Sequence, residues 1–164
     1  ANVIATALFG DGAAAAIIRH GEDGAAFEHS GEHTWPESLD VMGWRVEDDG
    51  LGVVFSRDIP SLTRTEFRDV ASGFMALHEL AFSDIDWFVC HPGGAKVLDA
   101  LEDAFGLEPG ALSHSRGVLR DYGNMSAVTI LFVLERVLAE RRTGRYFLSS
   151  LGPGFTAAFL TMIA

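Results

Sequence analysis

The chain has 164 residues, enough for one domain with a sizeable core, and its composition is that of a globular α/β protein. A net charge of −11 at pH 7 argues against nucleic-acid binding, which needs Lys and Arg clustered on phosphates. The single cysteine, Cys90, excludes an internal disulfide and a multi-Cys metal site, and makes a reducing, cytoplasmic setting the default.

Ala1–Gly10 has no basic n-region, so no signal peptide is expected. The longest strongly apolar stretch, Val128–Leu138, is interrupted by Thr129, Glu135 and Arg136 and falls short of the ~20 residues of a membrane span. The chain opens inside an apolar run without an initiator Met, which reads as a piece of a longer polypeptide or a processed product.

Val3–Phe9 is β-compatible, Gly10-Asp11-Gly12 is a turn, and Ala13–Ile18 resumes as a buried segment, together a hairpin or two consecutive strands. Gly21–Gly24 is a second turn, and Ala25–Glu32 is a short strand. Thr34–Gly50 holds turn formers and acidic residues anchored by Trp35, Met42 and Trp44. Val53–Phe55 is a strand that Asp58-Ile59-Pro60 ends. Thr63-Arg64-Thr65-Glu66 fits a capping box, after which Phe67, Val70, Ala71, Phe74, Leu77 and Ala81 recur at helical spacing.

Asp86–Cys90 is a short run, apolar after its Asp, of the kind covered on both faces of a sheet. Ala95–Phe105 is a helix with Val97, Leu98, Leu101, Ala104 and Phe105 on one face and Gly106 as its stop. Leu107–Gly123 reads as a connector. A helix from about Asn124 to Arg141 follows, with Asn124 and Ser126 available to cap it; being apolar nearly all round to Leu134, it is expected to be deeply buried. Tyr146–Leu151 is a strand, Gly152-Pro153-Gly154 a tight turn, and Phe155–Ile163 the last strand. The pattern is mixed α and β, with antiparallel hairpins at both ends and no internal repeat.

Two polar residues stand at strand–helix junctions. His91 ends an apolar strand, ahead of a Pro-Gly-Gly that lets backbone approach a ligand and of a helix start with free N–H groups. Asn124 stands before the long apolar helix. Taken singly, His91 is more often a satisfied core residue than a catalyst, and Asn124 reads as a helix cap. His29 and His33, beside Glu28 and Glu32, have a conceivable metal spacing, but the segment reads as strand and turn, so a solvated loop is favoured. Gly10-Asp11-Gly12 superficially matches a dinucleotide loop, but the expected strand after it removes that reading.

Several ordered segments carry a resemblance: ALFGDGAAAAII near the start, GLGVVFSRDIP, HPGGAKVLDALEDAFGL, SRGVLRDYGNMSAVTILFVLE and LGPGFTAAFL. In this order and spacing they resemble the C-terminal half of type III polyketide synthases, the chalcone and stilbene synthase family. The resemblance implies a thiolase-like α/β fold, of which residues 1–164 are the C-terminal half, a mixed five-stranded sheet flanked by helices. An N-terminal half bearing a nucleophilic Cys would lie outside this chain.

The family's Cys-His-Asn set carries over to His91 in HPGG and Asn124 in YGNMS. Cys90 directly precedes His91 on a strand, so its side chain is expected to point away, and it is not the nucleophile. The resemblance further implies acylation of the Cys thiolate by an acyl-CoA, decarboxylation of malonyl-CoA and a Claisen condensation. His91 and Asn124 would donate to the enolate oxygen, and an Asp in place of Asn124 would repel it. No metal or redox cofactor is required. The partners implied are acyl-CoA, malonyl-CoA, the N-terminal half and a second copy in a homodimer.

The resemblance makes Trp44, Val53, Ser126 and the Gly152-Pro153-Gly154 turn the expected cavity residues and puts Lys96 at the family's tunnel-mouth position, where it could approach a CoA phosphate and is as readily a solvated helix lysine. Plant enzymes of the family carry Phe where Val53 stands and Gly where Trp44 stands. A reshaped cavity with a wider passage points to an aliphatic starter and an alkylpyrone or alkylresorcinol product. The alternatives are a condensing enzyme of the ketoacyl-ACP synthase III type and a non-catalytic thiolase-fold fragment. The chain by itself is expected to be inactive and to expose apolar surface around the Val128–Leu134 helix.

Overall fold

The computed structural model describes residues 2–21, 24–48 and 50–164. The Gly21–Gly24 turn expected from the sequence has its centre, Glu22 and Asp23, outside the described residues. One four-stranded mixed sheet organises the chain, in the order β1-β6-β5-β4. Its strands are β1 (Ala26–Thr34), β4 (Trp87–Cys90), β5 (Arg145–Gly152) and β6 (Thr156–Ile163). A separate hairpin pairs β2 (Met42–Glu47) with β3 (Gly50–Phe55). β4 and β5 run parallel, with Cys90 beside Ser149. Parallel neighbours need a long crossover, and here three helices supply it: α4 (Ala95–Phe105), α5 (Ser113–Tyr122) and α6 (Val128–Ala139).

Alternation along β4 and β5 feeds two cores. Phe88, Cys90 and Phe147 face one side and pack with Phe67, Phe74, Leu98, Phe105 and Phe159. Trp87, Val89, Tyr146 and Leu148 face the other and pack with Val118, Val133, Val137 and Met162. Helices therefore cover the sheet on both faces. Phe147, fully buried among five aromatic rings, anchors the first core; its truncation to Ala would cost ~3–5 kcal/mol.

Several expectations are corrected. The sheet has four strands among the described residues, not five, and no N-terminal hairpin forms. Asn2–Leu8 is helix α1: without a strand neighbour, an apolar run satisfies its own backbone only by coiling, and Ala5, Ala7 and Leu8 favour that. Residues 10–21 have no regular structure, so Gly10-Asp11-Gly12 is followed by neither strand nor helix, and Ile17 is 96% exposed where a buried segment was expected.

Asp58-Ile59-Pro60 does more than end β3. It opens α2 (Ile59–Leu62), with Pro60 in the first turn, where a missing N–H costs little. The helix continues through a π-helical segment, Thr63–Phe67, into α3 (Arg68–Ala76). The capping box at Thr63 does not form, because Thr63 Oγ1 donates to Ile59 O (2.8 Å) inside a helix already under way. Since α3 ends at Ala76, Leu77 is exposed.

The connector 107–123 contains α5, and α6 starts at Val128 without a side-chain cap from Asn124 or Ser126. Only Thr129, Val133 and Val137 of α6 are buried; the rest of Val128–Leu134 is half-buried rather than deeply buried or exposed. The most exposed large apolar residues include Val3, Ile17, Leu39, Val46 and Leu77, none of them on α6. His29 and His33 sit on strand β1, not in a solvated loop: His29 stacks on His78 with ring centroids 4.0 Å apart, and His33 packs edge-on to Trp35. Among the described residues no helix is long and apolar enough to cross a membrane, and no group of three or more His, Cys, Asp or Glu could hold a metal ion.

Candidate active site

His91 is set by the last rung of the parallel ladder. Its N–H donates to Ser149 O (2.8 Å), and its own carbonyl accepts from Gly93 N–H (3.0 Å), turning the chain towards α4. Gly94, the N-cap of α4, has open space where a Cβ would stand, leaving the backbone free to be approached. His91 is 7% exposed, and its Nδ1 is buried without a hydrogen-bond partner. Burial lowers the His91 pKa to about 4, so the ring is neutral at pH 7.

Asn124 comes from the other junction, between α5 and α6. Gly123, with φ 73°, makes the turn, and a Cβ there would press on Leu8 O at 2.8 Å. The Asn124 backbone is strapped to the N-terminal segment: its N–H donates to Leu8 O (2.8 Å) and its carbonyl accepts from Gly10 N–H (3.0 Å). Its side chain is fixed at both ends. Oδ1 accepts from Ser126 N–H (2.8 Å), and Nδ2 donates to Gly93 O (3.2 Å), on the loop that follows His91.

Both residues line one cavity of about 360 Å³, within the range of small-molecule sites. Its walls are Phe9, Met42, Trp44, Val53, Ile59, Phe67, Val97, Leu101, Met125 and the Ser149–Pro153 strand end and turn. No lining residue is a carboxylate, Lys or Arg, and His91 is the one lining residue with an imidazole. A developing negative charge would thus meet neutral donors and no fixed anion.

Of the residues singled out in the sequence, His91, Asn124, Trp44, Val53, Ser126, Gly152 and Pro153 meet at this cavity. Trp44 and Val53 are direct cross-strand partners. Gly154 and Lys96 do not line it: Gly154 (φ 138°) completes the turn beside Thr156, and Lys96 is exposed at the second position of α4. Cys90 also stays outside, fully buried in the phenylalanine-rich core, and burial pushes its thiol up to about 12. Ser149 Oγ lies 3.4 Å from its sulfur.

Sequence reasoning missed the wall contributed by Phe9, Gly10 and Met42. It also missed Thr129, whose hydroxyl bonds the turn that carries Asn124. A signal existed for Thr129: a lone hydroxyl five residues past Asn124 in an otherwise apolar helix start.

Residues 27–162 match the profile described as chalcone and stilbene synthases, C-terminal domain. The chain is 39% identical over 171 residues to a 1,3,6,8-tetrahydroxynaphthalene synthase of Streptomyces peucetius subsp. caesius, covering 99% of this chain and 45% of that protein. It is 33% identical over 156 residues to type III polyketide synthase 10 of Oryza sativa subsp. japonica, covering 88% and 38%. Its structure is similar to that of the 1,3,6,8-tetrahydroxynaphthalene synthase of Streptomyces coelicolor A3(2), described as a bacterial type III polyketide synthase, with a TM-score of 0.89, 28% identity, and coverage of 98% of this chain and 47% of the other. The chain thus spans between 38% and 47% of the length of these relatives.

Proposed function

Because this chain belongs to the chalcone and stilbene synthase family of type III polyketide synthases, we propose that it supplies the His and Asn of a decarboxylating, condensing active site. The nucleophilic Cys would come from an N-terminal half of the same protein, in a cytoplasmic setting. The observation that carries this reading is the meeting of neutral, buried His91 and a doubly anchored Asn124 amide at one cavity without fixed charge.

In the proposed cycle the Cys thiolate attacks the carbonyl of an acyl-CoA, and CoA leaves as its thiolate. Malonyl-CoA then loses CO₂; the electron pair of the broken C–C bond passes into an enolate whose oxygen becomes negative. Nε2–H of His91 and Nδ2–H of Asn124 donate to that oxygen. With Nδ1 sealed and unpartnered, Nε2 is the ring nitrogen left to face a ligand, and the neutral ring donates from it in its Nε2–H tautomer. The enolate carbon attacks the acyl-enzyme carbonyl, and the Cys thiolate is expelled. Further rounds of extension and ring closure give the product. CoA thioesters are the substrates, and a homodimer is the proposed assembly.

The expected product is an alkylpyrone or alkylresorcinol built on an aliphatic starter, because Val53 leaves a wider passage than Phe. A second reading has its own support: relatives named 1,3,6,8-tetrahydroxynaphthalene synthase suggest a naphthalene-type product. Turnover of the full-length enzyme with starters from acetyl-CoA to palmitoyl-CoA, and with malonyl-CoA alone, separates the two. A preference for 4-coumaroyl-CoA would overturn both. The reaction itself is tested by CO₂ release from malonyl-CoA: His91→Ala or Asn124→Ala should each lower it by about 100-fold, the usual cost of an oxyanion donor. Unchanged release in both would defeat the proposal.

A further inference from the structure

We propose that Thr129 is a positioning residue for Asn124, fixing which end of its amide faces the reacting oxygen. The inference rests on the reading of Asn124 as a donor to that oxygen. An Asn amide can lie either way round, and only the orientation with Nδ2 in the cavity can donate. Here two contacts select it: Nδ2 donates to Gly93 O at 3.2 Å, and Ser126 N–H, the shorter of the two, holds Oδ1 at 2.8 Å.

That N–H belongs to the Met125–Ser126 peptide, so the question becomes what fixes this peptide plane. Ser126 is a non-glycine residue with φ 60°, in the left-handed region that such residues rarely occupy unsupported. Thr129 Oγ1 clamps the plane from both sides. It accepts from Met125 N–H (2.9 Å), in the preceding peptide, and donates to Ser126 O (2.7 Å), in the following one. Thr129 N–H adds a second donor to the same carbonyl at 3.1 Å. With both flanking planes held, the middle plane cannot turn, and its N–H stays on Oδ1.

Thr129 is itself fully buried on the core-facing side of α6, so the clamp rests on the packed core and does not exchange with water. It does not line the cavity and touches no reacting atom. The chain of control runs from core to Thr129 hydroxyl, to the Met125–Ser126 peptide, to the Asn124 amide.

The test uses the full-length protein with Thr129→Val, which keeps the shape and removes the hydroxyl, and Thr129→Ser, which keeps the hydroxyl. Two readouts are taken: malonyl-CoA decarboxylation, and the ¹⁵N side-chain amide signals of Asn124, assigned by their loss in Asn124→Asp. In Thr129→Val the kcat should fall by about 100-fold with KM within about twofold, the scale of a misplaced catalytic group, and Thr129→Ser should restore it to within about threefold. The Asn124 amide signals should shift towards averaged, solvent-exchanging values in Thr129→Val and stay native in Thr129→Ser. Native Asn124 signals in a folded Thr129→Val overturn the inference, whatever the activity. If Thr129→Val fails to fold, Thr129→Ser and Thr129→Ala decide: loss of the native signals in Ala alone supports the clamp, and native signals in both overturn it. Should the signals move as expected while the parent protein releases no CO₂, the clamp stands and the proposed reaction fails.

Discussion

Trp44 and Val53 are partners across the β2–β3 hairpin, and both side chains line the cavity that holds His91 and Asn124. The hairpin therefore forms one wall of the site, and its inward residues set how much chain the cavity accepts. Val53→Phe should shorten the products, and Trp44→Ala should lengthen them. A change of about tenfold in the ratio of longest to shortest product is expected, the scale of a few methylenes gained or lost in an apolar pocket. Mass spectrometry of products made by the full-length enzyme measures it, and an unchanged profile in both variants removes the hairpin from chain-length control.

His91 makes stability depend on pH in a defined window. Its folded pKa is about 4 against 6.5 in the unfolded chain, so between these values the unfolded state binds more protons and stability falls as pH falls. The loss begins near pH 6.5, is complete below about pH 4, and amounts to about 3 kcal/mol. Urea unfolding of wild type and His91→Gln from pH 7.5 to 4.5 checks this. The variant should show a flatter profile across that range. Carboxylates with lowered pKa values, such as Glu102, act only below their unfolded value of 4.5.

Cys90 should behave as a small apolar residue. Fully buried, with a thiol pKa of about 12, it should resist iodoacetamide at pH 8 while folded and react once unfolded in urea. Cys90→Ala should leave decarboxylation by the full-length protein within about twofold of wild type and cost ~1 kcal/mol of stability. Rapid alkylation of Cys90 itself in the folded protein, located by peptide mass, would contradict the core placement.

Gly31 is the narrow point between β1 and α3. A Cβ there would stand 2.8 Å from the Phe74 ring, which is held by His78, Phe147 and Phe159. Gly31→Val should destabilise by ~1–3 kcal/mol through overpacking, read from the urea midpoint. A neutral effect would mean that the Phe74 cluster can shift.

The legible parts of the sequence were those where local chemistry and burial agree. α4 matches the expected Ala95–Phe105 residue for residue, because Gly94 and Gly106 bound an apolar stripe that does face the core. β4, β5 and β6 were equally legible, as short apolar runs separated by strong turn formers. α5 was not: Ser113–Tyr122 offers only Val118, Leu119 and Tyr122 as large apolar residues and carries Gly117 at its centre, so its apolar stripe is short and the helix is held by tertiary contacts. Ser115 Oγ to Cys90 O (2.7 Å) and Arg116 to Glu102 (2.6 Å) are invisible to local reading. β2 hid because its residues pair with β3 rather than with the main sheet, leaving Trp44 and Val46 largely exposed. The meeting of His91 and Asn124 followed from resemblance; no local pattern encodes the Asn124–Gly93 contact across 31 residues.

The strap between Asn124 and the N-terminal segment gives the site a kinetic property. Gly10 N–H and Asn124 N–H are each sealed only by the other segment, through Asn124 O and Leu8 O. A Cβ on Gly10 would collide with the Tyr122 carbonyl, and one on Gly12 with the Met125 side chain, so the crossing has no room for slack. Lifting residues 8–10 therefore exposes both amides in a single event. They should exchange with solvent deuterium at one shared rate, faster than the core amides of β5. The lifetime of the assembled site is then set by how often a segment more than a hundred residues away in sequence lets go.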